Sequence, residues 1–259
     1  MASISTARGR IGYLEEGGGN QTPILFLHGV GSDKSVWKPQ LDHFGSTRRA
    51  VAFDYPGYGE SEFVADATRD DFAAAILAAM DALHIDSAHL CGLSLGGVIA
   101  IAMHSAASDR CASLIIADSF AAHPDGQGIY DRSVAASQAM TMGDLANARA
   151  GMLLGSEATD ELNAEIVETM GNIDPAAYRL GAAAVWLADQ IDRAAEIGVP
   201  TLILVGDEDR ITPVSLSEEL RDLIPASKLQ VIAKAGHLSN AEQPQAFNSA
   251  IESFLSEQR

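Results

Sequence analysis

The sequence predicts an α/β protein built on a mostly parallel sheet flanked by helices, with a helical insertion late in the chain. Three observations carry this expectation. Between residues 23 and 117, short apolar runs bounded by turn residues alternate with stretches of helical period, the signature of such a sheet. A serine stands between glycines in Gly92-Leu93-Ser94-Leu95-Gly96, where an apolar run at 88–90 gives way to a helical one at 98–103. Finally, about eighty residues separate Asp118 from the next clear strand, too many for a loop in a compact domain.

The chain opens with alternating stretches around Ile4 and over 11–14, then breaks at Gly17-Gly18-Gly19-Asn20, which reads as strands and a turn. That glycine run is a poor phosphate loop, because it precedes a strand, 23–28, instead of following one and opening a helix. The strand ends in His28-Gly29-Val30-Gly31-Ser32, where small residues can turn backbone N–H groups toward a neighbouring site. The Val30 N–H is therefore a candidate half of an oxyanion hole, with a plain tight turn as the alternative. Trp37 follows on a short helix, placed to wall a pocket or to fill the core. A second buried strand, 50–54, runs into the turn chemistry of Tyr55-Pro56-Gly57-Tyr58-Gly59. Thr68 and Asp71 form a capping box, and Phe72, Ile76, Leu77, Met80 and Leu83 share one face of the helix it opens. The strand after the serine helix covers 114–117. Sites in such sheets form at the carboxyl ends of strands, and His28, Asp54, Ser94 and Asp118 all lie at such ends.

Ser94 is the residue around which a function can be argued. In a G-x-S-x-G elbow the serine occupies a strained strand-to-helix turn, and the residues two before and two after it must lack a Cβ; Gly92 and Gly96 do. The helix that follows aims its free N–H groups, beginning with that of Leu95, at the place where a negative oxygen would develop. The motif is short, and accident produces it in roughly one chain of this length in ten. Its weight depends on whether an acid and a histidine stand in order further along the chain.

The long insertion has helical character over 135–150 and 161–170, with Pro175 and the glycines at 151, 155, 171 and 181 as breaks. The chain accordingly divides into a core, 1–120 with 199–259, and an insertion, 121–198, that either roofs the site or forms a peripheral layer. Met140, Met142, Met152 and Met170 are available as adaptable pocket lining or as core filler. After a strand at 201–205 comes Gly206-Asp207-Glu208-Asp209, and after one at 228–232 comes Gly236-His237. The order is then nucleophile, acid, histidine, with both late members in loops beyond strand ends. Either Asp207 or Asp209 can reach a histidine from its loop. None of the other six histidines pairs with Cys, Asp or Glu at metal-ligand spacing.

Composition narrows the partners. The 259 residues are 47% hydrophobic and 20% charged, ordinary for a globular protein, but the net charge of −18 repels nucleic acid and anionic membrane surfaces. Two cysteines, Cys91 and Cys111, fit neither a disulfide framework nor a zinc site. No apolar block of signal-peptide length opens the chain and no run of about 18 apolar residues could span a bilayer, so the expectation is a soluble cytoplasmic protein.

The sequence resembles the α/β-hydrolase family over nearly its whole length, and within it the 3-oxoadipate enol-lactonases and their esterase relatives. The similarity is carried by Cys91-Gly92-Leu93-Ser94-Leu95-Gly96-Gly97, by Gly236-His237-Leu238-Ser239-Asn240-Ala241-Glu242-Gln243-Pro244 with Phe247 beyond it, and by Asp174-Pro175-Ala176-Ala177-Tyr178. The resemblance implies Ser94 as nucleophile, Asp209 as acid in a G-x-x-D-x-x-x-P pattern ending at Pro213, and His237 as base. It further implies an oxyanion hole from the Val30 and Leu95 N–H groups, hydrolysis of a small-molecule carboxylic ester or lactone through an acyl-enzyme, and no metal or organic cofactor. Trp37, Arg132 and Trp186 are the candidate substrate contacts; Arg132, at the start of a helix where the chain resembles the lactonase cap, either binds the free carboxylate of an oxoadipate enol lactone or is a solvated residue that pairs with Asp131 or with nothing. The sequence departs from those lactonases where they usually carry an arginine and a histidine after the second central strand; here stand Pro56 and Tyr58. A cofactor-free perhydrolase or haloperoxidase with the same triad, and a slow-turnover small-molecule receptor on the same scaffold, are the alternatives.

Overall fold

The computed structural model describes residues 2–258. Its first half runs β1 (Ala2–Thr6), β2 (Gly9–Glu16), β3 (Ile24–Leu27), α1 (Lys38–Phe44), β4 (Ala50–Phe53), α2 (Arg69–Ala82), β5 (Ala88–Leu93), α3 (Leu95–Ala106) and β6 (Cys111–Ala117). Helices α4 (Gly126–Ala139), α5 (Met142–Leu153), α6 (Asp160–Gly171), α7 (Pro175–Trp186) and α8 (Ile191–Ala195) follow. The chain closes with β7 (Thr201–Gly206), α9 (Val214–Leu223), β8 (Ser227–Ile232), α10 (Ser239–Glu242) and α11 (Pro244–Ser256). Among the described residues the strands form one eight-stranded sheet in the order β1-β2-β4-β3-β5-β6-β7-β8. β1 and β2 are antiparallel at one edge, β2 is antiparallel to β4, and every pair from β4 to β8 is parallel.

The parallel centre follows from side chains that are apolar on both faces. Every residue of β3, β4, β5 and β7 is buried. Leu25 and Leu27 face one helical layer, with Phe72, Ile76 and Val98 from α2 and α3. Ile24 and Phe26 face the other, with Phe44 from α1 and Phe247, Ile251 and Phe254 from α11. The capping box forms as expected: Thr68 Oγ1 accepts from the Asp71 N–H at 3.3 Å and Asp71 Oδ2 accepts from the Thr68 N–H at 3.0 Å. Trp37 is a core aromatic instead of a pocket wall: it is fully buried, stacks on Phe26 at 5.0 Å between ring centroids and tilts against Phe247 at 6.1 Å.

The insertion differs from the pattern its sequence suggests. The stretch 135–150 is not one helix: α4 stops at Ala139, and Thr141 caps α5 by accepting from the Asp144 N–H at 3.1 Å. Pro175 starts a helix instead of breaking one, because Asp174 Oδ1 accepts from the N–H groups of Ala176 and Ala177, at 2.7 and 3.3 Å, and proline at the first helical position forfeits no bond. Gly151 and Gly181 likewise lie inside α5 and α7. Gly181 is there for a close approach, since a Cβ on it would stand 2.1 Å from Tyr58 Oη. The stems of the insertion are pinned together by a bridge between Ala122 and Asp189, and Gln190 Nε2 fastens them to the core through the Val98 carbonyl at 2.9 Å.

Candidate active site

β5 delivers Ser94 directly before α3, with φ 56° and ψ −115°, a left-handed conformation that costs a non-glycine residue about 1–3 kcal/mol. Glycine is obligatory on either side. A Cβ on Gly92 would lie 2.1 Å from the Gly96 carbonyl oxygen, and one on Gly96 would lie 1.9 Å from that of Leu27. The turn is fixed further by the Ser94 N–H donating to the Ala117 carbonyl at 2.9 Å and by Ser119 Oγ donating to the Ser94 carbonyl at 2.8 Å. Val30 borders the same cavity as Ser94, and Leu95 opens α3. Among the described residues neither of their N–H groups donates to a protein acceptor, which leaves both donors unspent.

The Val30 loop is held from behind by residues that the sequence shows only as turn chemistry. Tyr55 Oη donates to the His28 carbonyl at 3.1 Å and Tyr58 Oη to the Val30 carbonyl at 3.2 Å. The His28 ring packs on both tyrosines, at 4.5 and 5.0 Å, and its Nδ1 donates to the Gly29 carbonyl at 2.8 Å. Burial lowers the His28 pKa, against the opposing Asp54 carboxylate, and favours the neutral ring. Tyr58 thus supports the loop at a position where the sequence shows only a departure.

Asp209 leaves the end of β7 in a tight turn that saturates its carboxylate. Oδ1 accepts from the N–H groups of Ile211 and Thr212 at 2.7 and 2.9 Å, while Oδ2 accepts from Thr212 Oγ1 at 2.7 Å and from His237 Nδ1 at 2.9 Å. Burial pushes the Asp209 carboxyl up, but His237 and the Thr212 donors outweigh it and hold the group below the usual carboxylate range. Asp207 faces elsewhere and accepts from the Ala235 N–H at 3.3 Å. Of the two candidate acids in that loop, Asp209 is the one joined to the histidine. His237 and Ser94 border one cavity, with no hydrogen bond between them among the described residues.

Two further acids hold this assembly without touching the cavity. Asp118, at φ 47°, accepts from the Gly206 N–H at 2.8 Å and from Ser239 Oγ at 2.5 Å, so it ties the ends of β6 and β7 to the histidine loop. Burial, and then the Asp209 charge, push its carboxyl well above the usual range. Glu242 accepts from the Gly236 N–H at 2.9 Å and from the Gly155 N–H at 2.7 Å, and the His237 N–H donates to the Leu153 carbonyl at 2.8 Å. The histidine loop and the insertion are therefore sewn together. Asp118 is visible in the sequence as a strand-end acid; Glu242 carries no signal there beyond its place in the histidine motif.

The insertion covers the cavity through Leu153, Ile166, Met170, Tyr178 and Trp186. Of the insertion's four candidate methionines, Met170 reaches the cavity, Met152 lines a groove outside it, Met142 is buried and Met140 is exposed. Trp186 borders both cavity and groove. Arg132 does not reach the cavity: it lies in the middle of α4, not at its start, with its side chain 66% exposed and paired to Asp125 at 2.7 Å, not to Asp131. Arg149, which no sequence motif singles out, does reach it, and its Nη1 donates to Tyr178 Oη at 3.3 Å. Among the described residues no group of His, Cys, Asp and Glu could hold a metal ion, and no helix is long and apolar enough to cross a membrane.

Comparison with known proteins agrees with the geometry. A family profile described as alpha/beta hydrolase fold matches residues 22–244, and the chain belongs to that family. It is 28% identical over 256 residues to 3-oxoadipate enol-lactonase 1 of Acinetobacter baylyi, spanning 97% of this chain and 96% of the relative. Among solved structures it is similar to the enol-lactonase of Burkholderia xenovorans LB400, with TM-score 0.91, 25% identity and coverage of 98% and 100% of the two chains. A thermophilic esterase from Thermogutta terrifontis gives TM-score 0.91 at 27% identity, covering 99% of this chain and 98% of that one.

Proposed function

We propose that the protein is a serine hydrolase that cleaves a carboxylic ester or lactone through an acyl-enzyme on Ser94. The observation that carries this reading is the convergence on one cavity of a strained-elbow serine and a histidine bonded to a buried carboxylate. His237 takes the Ser94 proton as Oγ attacks the carbonyl, and the charge that develops on the carbonyl oxygen is met by the Val30 and Leu95 N–H groups. Asp209 holds the proton on Nδ1, leaves Nε2 as the base, and stabilises the imidazolium. Collapse expels the alcohol, which receives its proton from His237, and a water deprotonated by the same imidazole then releases the acid. With an enol lactone of the kind named in the Acinetobacter relative, the freed enol relaxes to a ketone, which makes ring opening hard to reverse. The segment 121–198 acts as the cap that excludes water and selects the substrate, over a core of 1–120 and 199–259. Cys91 and Cys111, both free and buried, suit a reducing cytoplasmic compartment. A panel of aryl esters, saturated lactones and enol lactones with the purified protein tests the reading; the expected result is turnover of at least one class with burst kinetics, and no turnover of any would overturn it.

A further inference from the structure

We propose that the corner of the insertion between α5 and α6 positions the base His237, and that Glu242 and Glu208 are the positioning residues that fasten this corner to the two triad loops. This rests on the serine-hydrolase reading and gives the insertion a part in the chemistry besides roofing the cavity. On the Nδ1 side the His237 ring meets Asp209 Oδ2 at 2.9 Å and Thr212 Oγ1 at 3.2 Å, while among the described residues no hydrogen bond holds Nε2. Where Nε2 points is therefore set by Asp209 and by the backbone that carries the ring.

That backbone leans on the insertion. α5 ends at Leu153, whose carbonyl is one of those a helix leaves without an internal partner, and the His237 N–H donates to it at 2.8 Å. The Gly236 N–H goes to Glu242 Oε1 at 2.9 Å, and Oε2 of the same carboxylate accepts from the Gly155 N–H at 2.7 Å. The next residue of the corner is gripped from the acid loop. Glu208 accepts from the Ser156 N–H and Oγ, each at 2.7 Å, and its own N–H donates to the Ala235 carbonyl at 2.9 Å. Consecutive N–H groups of the corner are thus taken by one carboxylate from each triad loop. The fit leaves no slack: a Cβ on Gly236 would stand 2.6 Å from the Gly155 nitrogen, and one on Gly155 would stand 2.8 Å from the Gly236 nitrogen. Two main chains in contact share one acceptor, and an amide in place of the Glu242 carboxylate would turn an NH2 toward one of the two donors. A shift of the corner is passed to the residue that carries the base, where a misplacement of about 1 Å costs about a hundredfold in rate.

Three variants test this on 4-nitrophenyl acetate and 4-nitrophenyl butyrate, with kcat expressed per active site as titrated by the burst of 4-nitrophenol. Glu242→Gln should lower kcat about ten- to a hundredfold on both esters, with KM within about twofold of native. Acylation and deacylation should slow together, since both run through the same imidazole. Glu208→Gln should give the same pattern at about threefold, and because its bonds to Ser156 lie at the surface it decides the matter if Glu242→Gln does not fold. Glu157→Gln breaks only the exposed pair with Lys234 beside the same corner and should leave kcat native. Native kcat per site in the Glu242 and Glu208 variants, with the loss confined to melting temperature or to the number of sites, overturns the proposal. So does a change in KM that differs between the two esters, which would make the corner a selectivity element. No burst and no acyl-enzyme in the unaltered protein would instead sink the hydrolase reading itself.

Discussion

Ser94 and Arg149 border the same cavity, one in its floor of strand ends and the other in its helical roof, and they are held there by different means. The floor is mostly backbone: Ser94 is placed by parallel register between β3, β5 and β6, by two glycines that admit no Cβ, and by bonds of its own main chain to the Ala117 carbonyl and the Ser119 hydroxyl. The roof is side chain. Arg149 is oriented by one 3.3 Å hydrogen bond from a helix whose neighbours Asn147 and Ala148 are exposed, and Trp186 by stacking on Phe120 at 5.8 Å. On the proposed reading, the chemistry would sit where the main chain dictates position, and selectivity where one side chain can be exchanged without moving the rest.

The largest expected effect belongs to the floor. Ser94→Ala should lower kcat on any substrate by roughly four to six orders of magnitude with an unchanged melting temperature, because triad members act as a unit. Trp186→Ala in the roof should instead raise KM, by about ten- to a hundredfold, with a smaller change in kcat. If the two substitutions cost the same in kcat, the division between floor and roof is wrong. Nearly as large is the contrast between neighbouring acids: Asp209→Asn should cost about ten-thousand-fold in kcat through the wrong imidazole tautomer, whereas Asp207→Asn should stay close to native activity. The reverse ranking would mean that His237 takes its partner from elsewhere in the loop.

Stability should divide along the same line. Gly96→Ala forces a methyl to 1.9 Å from the Leu27 carbonyl oxygen and should destabilise by about 3 kcal/mol or more in urea unfolding. Gly151→Ala, inside α5 with open space around its Cβ, should be neutral or stabilising by up to about 1 kcal/mol. Most gradual is the effect of acid. His89, buried in β5 and bonded to Ser113 Oγ at 2.8 Å, has its pKa lowered to about 4 by burial and by Arg48. Below its ordinary value of about 6.5 the unfolded chain takes up a proton that the folded one refuses, so stability falls as pH drops from there toward 4. His89→Gln should flatten that slope in a series of melting curves; an unchanged slope would assign the acid sensitivity to other groups such as His28.

The floor is legible in the sequence because each of its constraints leaves a local mark. Glycines at fixed offsets from Ser94, apolar runs with turn residues at their ends and a capping box at Thr68 are each decided within a few residues. The roof leaves no such mark. Which face of α5 turns inward is decided by packing against α6 and by the bonds from Gly155 and Leu153 to the histidine loop, and those are contacts across long stretches of chain. In sequence, therefore, Arg132 is as eligible as Arg149 and Trp37 as eligible as Trp186; tertiary structure buries one tryptophan beneath the sheet and pairs one arginine with Asp125. Pro175 and Gly181 mislead for a related reason: proline opens helices as well as ending them, and glycine inside α7 serves the distant hydroxyl of Tyr58.

The central claim, a covalent intermediate on Ser94, is tested most directly by mixing the protein with an activated acetate ester, quenching in acid within one turnover, and mapping the product by peptide mass spectrometry. The account predicts a single acetyl group on the peptide that contains Ser94, in an amount that matches the burst of released alcohol and disappears in Ser94→Ala. Acetyl found on another residue in proportion to the burst, or turnover with no acyl group on Ser94 under conditions where deacylation is slow, would contradict it.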